Sequence, residues 1–160
     1  GHPGSYGAAA QFLEAGRAMA AGGVVTAFVG PAVPGAAQAP AEPDFRHLGA
    51  LPQEDLMELM RHARLIVANG GSTLLQALAC GAACVAVPIA DDQNSRIRRC
   101  VHLGVAVEAR LDARHIAARA TALLGDAQVR AELARRAAGL DLADGTDIAV
   151  RALGKLLESR

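Results

Sequence analysis

Short apolar runs of strand length alternate along the chain with longer segments whose apolar positions recur at helical spacing. Val24-Val25-Thr26-Ala27-Phe28-Val29 is β-branched and apolar, and Gly30-Pro31 ends it, which predicts a buried strand. Phe45 to Leu48, Arg64 to Ala68, Ala83 to Val87 and Val105 to Ala109 predict four more. Between them, Ala8 to Ala21 suits a helix stopped by Gly22-Gly23, with Gly16 permitting close packing on a sheet. A second helix starts at Leu51-Pro52 with Glu54 and Asp55 in its first turn and Leu56, Leu59 and Met60 as its buried stripe. Further helices are predicted over Leu74 to Cys80, closed by Gly81, over the basic stretch Asn94 to Leu103, and over Ala113 to Leu124. Gly125-Asp126 caps one through about Ala138, and Asp144-Gly145-Thr146-Asp147 caps a last one to the chain end. Strands alternating with helices imply an α/β fold with a doubly wound parallel sheet.

Two features modify this order. Pro31 to Pro43 holds four prolines and five alanines without periodicity and reads as a surface loop. A nucleotide-binding α/β domain also normally opens with a strand delivering its first glycine turn. No strand precedes Gly4 to Gly7, so the sheet is expected to lack its first strand. With no initiating Met, the chain is expected to be a piece of a longer protein, residues 1–160 forming a single domain of it.

Composition narrows the function classes. Sixteen basic residues balance sixteen acidic ones, and aromatics are 2% with no Trp, so neither the charge footprint nor the stacking platforms of nucleic-acid binding are present. Cys80, Cys84 and Cys100 form an odd set without metal-like spacing and read as reduced core thiols. No run reaches the ~18 apolar residues of a membrane span, and no signal peptide is visible, which predicts a cytoplasmic protein.

The chemistry gathers in Ala63 to Gln93. Here a strand, the turn Asn69-Gly70-Gly71-Ser72-Thr73, a short helix, a second strand and the polar loop Ala90-Asp91-Asp92-Gln93 follow one another. A glycine turn between strand and helix places unpaired N–H groups and the positive end of a helix dipole at the carboxyl edge of the sheet, where anions bind. The same glycines also suit a tight turn for helix-to-sheet packing, and Ser72 and Thr73 suit N-caps. Asp91-Asp92 makes a poor metal site because no third ligand is near. His47, His62, His102 and His115 are dispersed, and Arg96, Arg98 and Arg99 read as a basic helix face that is solvated or, alternatively, turned to a partner domain or acidic lipids.

Leu51-Pro52-Gln53, Asn69 to Leu78, Gly81, Pro88 and Asp92-Gln93, in this order and spacing, resemble the carboxyl-terminal donor-binding domain of GT-B glycosyltransferases, of the UDP-glycosyltransferase and glycosyltransferase family 28 type. The close match runs from about Phe45 to Val107. The resemblance implies a Rossmann-like nucleotide-sugar-binding domain, the carboxyl-terminal half of a larger protein. It implies that Gly70, Gly71, Ser72 and Thr73 hold the UDP diphosphate, Gln76 the ribose, Leu51 and Gln53 the base, and Asp92 and Gln93 the donor sugar. Gly4 and Ser5 are weaker candidates on the sugar-phosphate side.

This sequence departs at Gln76, where the family usually has a glutamate. An amide accepts one ribose hydroxyl and donates to the other but lacks the charge-assisted bond, a difference of about 1 to 2 kcal/mol. The resemblance further implies a UDP-sugar substrate, no cofactor and no metal. The general base is expected on an amino-terminal acceptor-binding domain or separate subunit, through which peripheral membrane association would come. Three alternatives share the motifs: a nucleotide-sugar hydrolase of sialic-acid-like biosynthesis, the donor subunit of a two-component glycosyltransferase, and a degenerate interaction module.

Overall fold

The computed structural model describes residues 3–34, 43–140 and 142. They form α1 (Pro3–Ala21), β1 (Thr26–Val29), β2 (Phe45–Leu48), α2 (Gln53–His62), β3 (Ile66–Asn69), α3 (Ser72–Ala79), β4 (Cys84–Val87), α4 (Gln93–His102), β5 (Val107–Glu108), α5 (Ala113–Gly125) and α6 (Ala127–Ala138). Every strand pairing among them is parallel, as the alternation predicts. The fold is an α/β, Rossmann-like one with helices against both faces of the sheet.

Side-chain alternation along β4 shows why. Cys84 and Ala86 face a core built from α2, α3 and α4, through Met60, Leu74, Ala77, Leu78, Ile97 and Cys100. Val85 and Val87 face a second core with Ala15 and Met19 of α1 and Ala113, Ile116, Ala120 and Leu123 of α5. All four β4 residues are buried, so the strand has no polar face to give away. Each fully buried Val or Leu contributes about 1.5–3 kcal/mol of burial free energy.

The parallel strands fall into two ladders rather than one continuous sheet: β1 with β2, and β3-β4-β5. Among the described residues no strand precedes α1. Helix α1 lies over both ladders, its Ala15 and Met19 reaching the Val85 side and its Gly16 the other. A Cβ at Gly16 would stand 3.0 Å from the Phe45 ring and 3.3 Å from Thr26 Cγ2, so the expected close packing through this glycine is present.

Several boundaries differ from the sequence reading. The glycine turn expected at Gly4 to Gly7 is helical backbone, because α1 begins at Pro3, whose fixed φ and missing N–H suit a first helical position. Gly4 and Ser5 therefore sit in a helix and not in a loop. Strand β1 starts at Thr26 instead of Val24: Gly23 takes φ +83° and the Val24 N–H closes the helix end on Met19 O, leaving Val25 81% exposed. Strand β3 lies two residues later than its apolar run begins, and β5 shrinks to two residues although Val105, Ala106 and Ala109 are buried. On α2, Met60 is buried and Leu56 and Met57 pack on the core, so Met57 takes the place expected of Leu59. Gly81 closes α3 with φ +72°, as expected. Asp112 and Asp126 cap α5 and α6 by accepting from the N–H groups of His115 and Val129, at 2.8 and 2.9 Å. The cap at Asp144 to Asp147, the last helix and most of the Pro31–Pro43 loop lie outside the described residues. No helix among those described is long and apolar enough to cross a membrane.

Candidate functional site

Because β3 and β4 are parallel neighbours, the segments that follow them leave from the same edge of the sheet. This brings Asn69 to Thr73 beside Pro88 to Gln93, the two stretches the sequence singles out. The contact is direct. Gln93 Oε1 accepts from the N–H groups of Gly70 and of Ile89, each at 3.1 Å, while Gly70 N–H is shared with Val87 O at 3.2 Å. Asn69 Oδ1 accepts from Gly71 N–H at 2.9 Å. From one turn further along α4, Arg96 Nη1 donates to Gly70 O at 2.6 Å.

These bonds alter the expected roles of the two glycines. A Cβ on Gly70 would meet Ile97 Cδ1 at 2.6 Å and Gln93 Cβ at 2.9 Å, so this position is glycine because α4 packs against it. Gly71 is bounded by the Asn69 side chain, at 2.8 Å from a hypothetical Cβ. Both glycine N–H groups are already used inside the turn, and the donors left for an anion come from the start of α3.

Helix α3 has Gly71 at its N-cap with no side-chain cap, and its first-turn N–H groups have no partner within the helix. Ser72 is exposed and Thr73 half-buried, so two hydroxyls flank that end. Gln76 is half-buried on the same face of α3, one turn on, and its side chain makes no hydrogen bond among the described residues. Gln53, exposed, is the first residue of α2, which packs on α3, and Leu51, half-buried, lies two residues before that helix. Neither bonds to the glycine turn.

The two residues of the β4–α4 loop differ. Asp92 is exposed at the N-cap position of α4, but in helical geometry with no cap bond from its side chain. Gln93 is 9% exposed, its carbonyl oxygen taken by Gly70 and Ile89. Its Nε2 stands 3.8 Å from where a Cβ on Gly71 would lie and has no partner among the described residues, so one end of this amide holds the turn and the other is available to donate.

Arg96 is the residue that sequence reading missed. The sequence groups it with Arg98 and Arg99 on one basic face, yet of the three only those two are exposed; Arg96 is half-buried and bonded to the turn. Its spacing of three from Gln93, on the side of α4 that buries Gln93, Ile97 and Cys100, was the available signal.

Burial, reinforced by Cys100 and Cys80, pushes the Cys84 thiol up to about 12, and burial also raises Cys100. All three cysteines are free. His62 pairs with Glu58, and His115 Nδ1 accepts from Arg110 N–H. Among the described residues no group of His, Cys, Asp and Glu is placed to hold a metal ion. A hollow of about 380 Å³, lined by Gly104, Gln128, Val129, Glu132, Leu133 and Arg136, opens before β5, at the opposite end of the strands from the turn.

No protein-family model matches the chain, and no curated protein sequence does. Among solved structures it is similar to the glycosyltransferase SnogD from Streptomyces nogalater, with a TM-score of 0.60 and 18% sequence identity. The similarity covers 90% of this chain and 39% of that one, so the chain spans well under half the length of the enzyme it resembles. A likeness at this identity speaks to architecture, and the conclusion is architectural: the chain has a glycosyltransferase-like α/β fold.

Proposed function

We propose that the chain is the donor-binding domain of a GT-B glycosyltransferase of the UDP-glycosyltransferase and family 28 carboxyl-terminal type, acting in the cytoplasm. Its ligand is a nucleotide sugar, in first place a UDP-sugar. The supporting observation is the uncapped start of α3, with Ser72 and Thr73, set beside the buried Gln93 at the carboxyl edge of two parallel strands. Oriented N–H groups at a helix start, with hydroxyls and an amide donor around them, suit a diphosphate.

In this reading the N–H and hydroxyl groups of Ser72 and Thr73 hold the diphosphate, while Gly70 and Gly71 shape the turn. Gln76 takes the ribose, Leu51 and Gln53 border the base, and Asp92 with Gln93 Nε2 receives the donor sugar. Transfer breaks the bond between the anomeric carbon and the diphosphate oxygen, whose electron pair leaves with UDP. An acceptor hydroxyl attacks that carbon and gives its proton to a base on the acceptor-binding half. This chain's part is to stabilise the charge developing on the leaving group, a contribution on the order of several kcal/mol that requires no metal.

Calorimetric titration with UDP, GDP and dTDP tests the reading. It predicts saturable binding strongest for UDP; stronger binding of GDP or dTDP would keep the donor domain and change the donor. The absence of binding to all three by the folded chain would favour the interaction module.

A further inference from the structure

Arg96 is a half-buried cation on the fourth residue of α4, near the positive end of that helix and beside the equally positive start of α3. A cation is disfavoured at such a place. Several other arginines among the described residues are compensated. Arg61 pairs with Glu58, Arg135 and Arg136 pair with Glu132, and Arg130 donates to the carbonyls of Leu123 and Leu124 at the C-terminal end of α5, where positive charge is favoured. Arg96 has only the neutral carbonyl of Gly70. Among the described residues no carboxylate pairs with it, and the nearby Asp91 and Asp92 are exposed without a salt bridge to it.

A charge removed from water without a counter-ion is costly, and a hydrogen bond to a neutral acceptor leaves its charge uncompensated. We propose that Arg96 supplies the positive charge of the anion seat, its guanidinium held by the Gly70 carbonyl within reach of a diphosphate bound at Ser72 and Thr73. This inference rests on the reading that the turn seats a diphosphate. It adds a charged residue to a seat otherwise made of neutral groups. Arg96 thereby discriminates among ligands by their charge.

Affinities of the purified chain for uridine, UMP and UDP, measured for wild type, Arg96→Gln, Arg96→Lys and the exposed control Arg98→Gln, test it. The proposal predicts that Arg96→Gln weakens UDP roughly tenfold or more, UMP less, and uridine hardly at all. Arg96→Lys restores part of the loss, and Arg98→Gln leaves all three ligands close to wild type. Thermal midpoints establish that each variant is folded. Should Arg96→Gln prove too unstable, the salt dependence of wild-type UDP binding against that of uridine, together with the Arg96→Lys affinities, carries the same comparison. Equal weakening of uridine and UDP would make Arg96 a mere latch on the turn, and unchanged UDP binding would remove it from the seat. Either result overturns this inference while leaving the donor-domain reading intact. Failure of the wild type to bind UDP at all would overturn both.

Discussion

Gln93 reaches across from the start of α4 and accepts the Gly70 N–H at 3.1 Å, tying the β4–α4 loop to the turn after β3. The same oxygen accepts from Ile89, so one side chain fixes both loops of the candidate site at once. Replacing Gln93 by Ala removes the acceptor of the Ile89 N–H, while Gly70 keeps Val87 O. The expected loss is about 0.5–1.5 kcal/mol in the urea-unfolding free energy. Gln93→Glu, which retains an acceptor, is expected to fall between wild type and Gln93→Ala; equal stability of all three would show that the bonds hold nothing.

The two glycines of the turn should respond differently. At Gly70 an added methyl meets Ile97 and Gln93 well inside van der Waals distance, so Gly70→Ala is expected to cost about 1–3 kcal/mol by overpacking. At Gly71 the obstacle is the end of the Asn69 side chain, which can turn away at the loss of one hydrogen bond. Gly71→Ala should therefore lower the thermal midpoint less, and the reverse order would contradict the packing account.

Cys84 is fully buried and its thiol is pushed up to about 12 by burial, so almost no thiolate exists at pH 8. Alkylation by iodoacetamide at that pH, followed by peptide mass analysis, should modify the half-buried Cys80 first and Cys84 only after unfolding. Rapid modification of Cys84 in the folded chain would contradict the burial.

On α6, hydrogen bonds from Arg135 and then Arg136 hold the Glu132 carboxyl down to about 2. A folded-state value below the unfolded one of about 4.3 means that its contribution to stability is present above that pH and disappears as pH falls toward 2. The gap in unfolding midpoint between wild type and Glu132→Gln should thus be visible near pH 6 and close by pH 2. Because the pair is exposed, added salt should also narrow it. A gap independent of pH would exclude the charge as its source.

How far the sequence could be read follows from which forces act locally. The β4 run and Gly81 were legible because a strand buried on both faces is apolar throughout and a left-handed helix end needs glycine. The entry to α1 was not, since Gly4 and Gly7 so close together look like a loop until Pro3 starts a helix through them. The exit at Val24-Val25 failed similarly: the β-branched pair suggests a strand, but the helix cap on Met19 takes those residues. In the candidate site, the order of motifs pointed to the sheet edge at which Gly70, Ser72 and Gln93 lie together. That Gly70 serves α4 packing, and that Arg96 reaches back to it, depends on a contact 26 residues apart that no local pattern encodes.

The measurement that bears most directly on the central claim is a titration of the isotopically labelled chain with UDP, followed by amide chemical shifts. The account predicts that the shifts centre on Gly71 to Gln76, with Gln93, Arg96 and the Leu51 to Gln53 segment responding and the hollow near Gly104 and Leu133 silent. Shifts confined to that hollow, or none in a folded sample at saturating UDP, would contradict it.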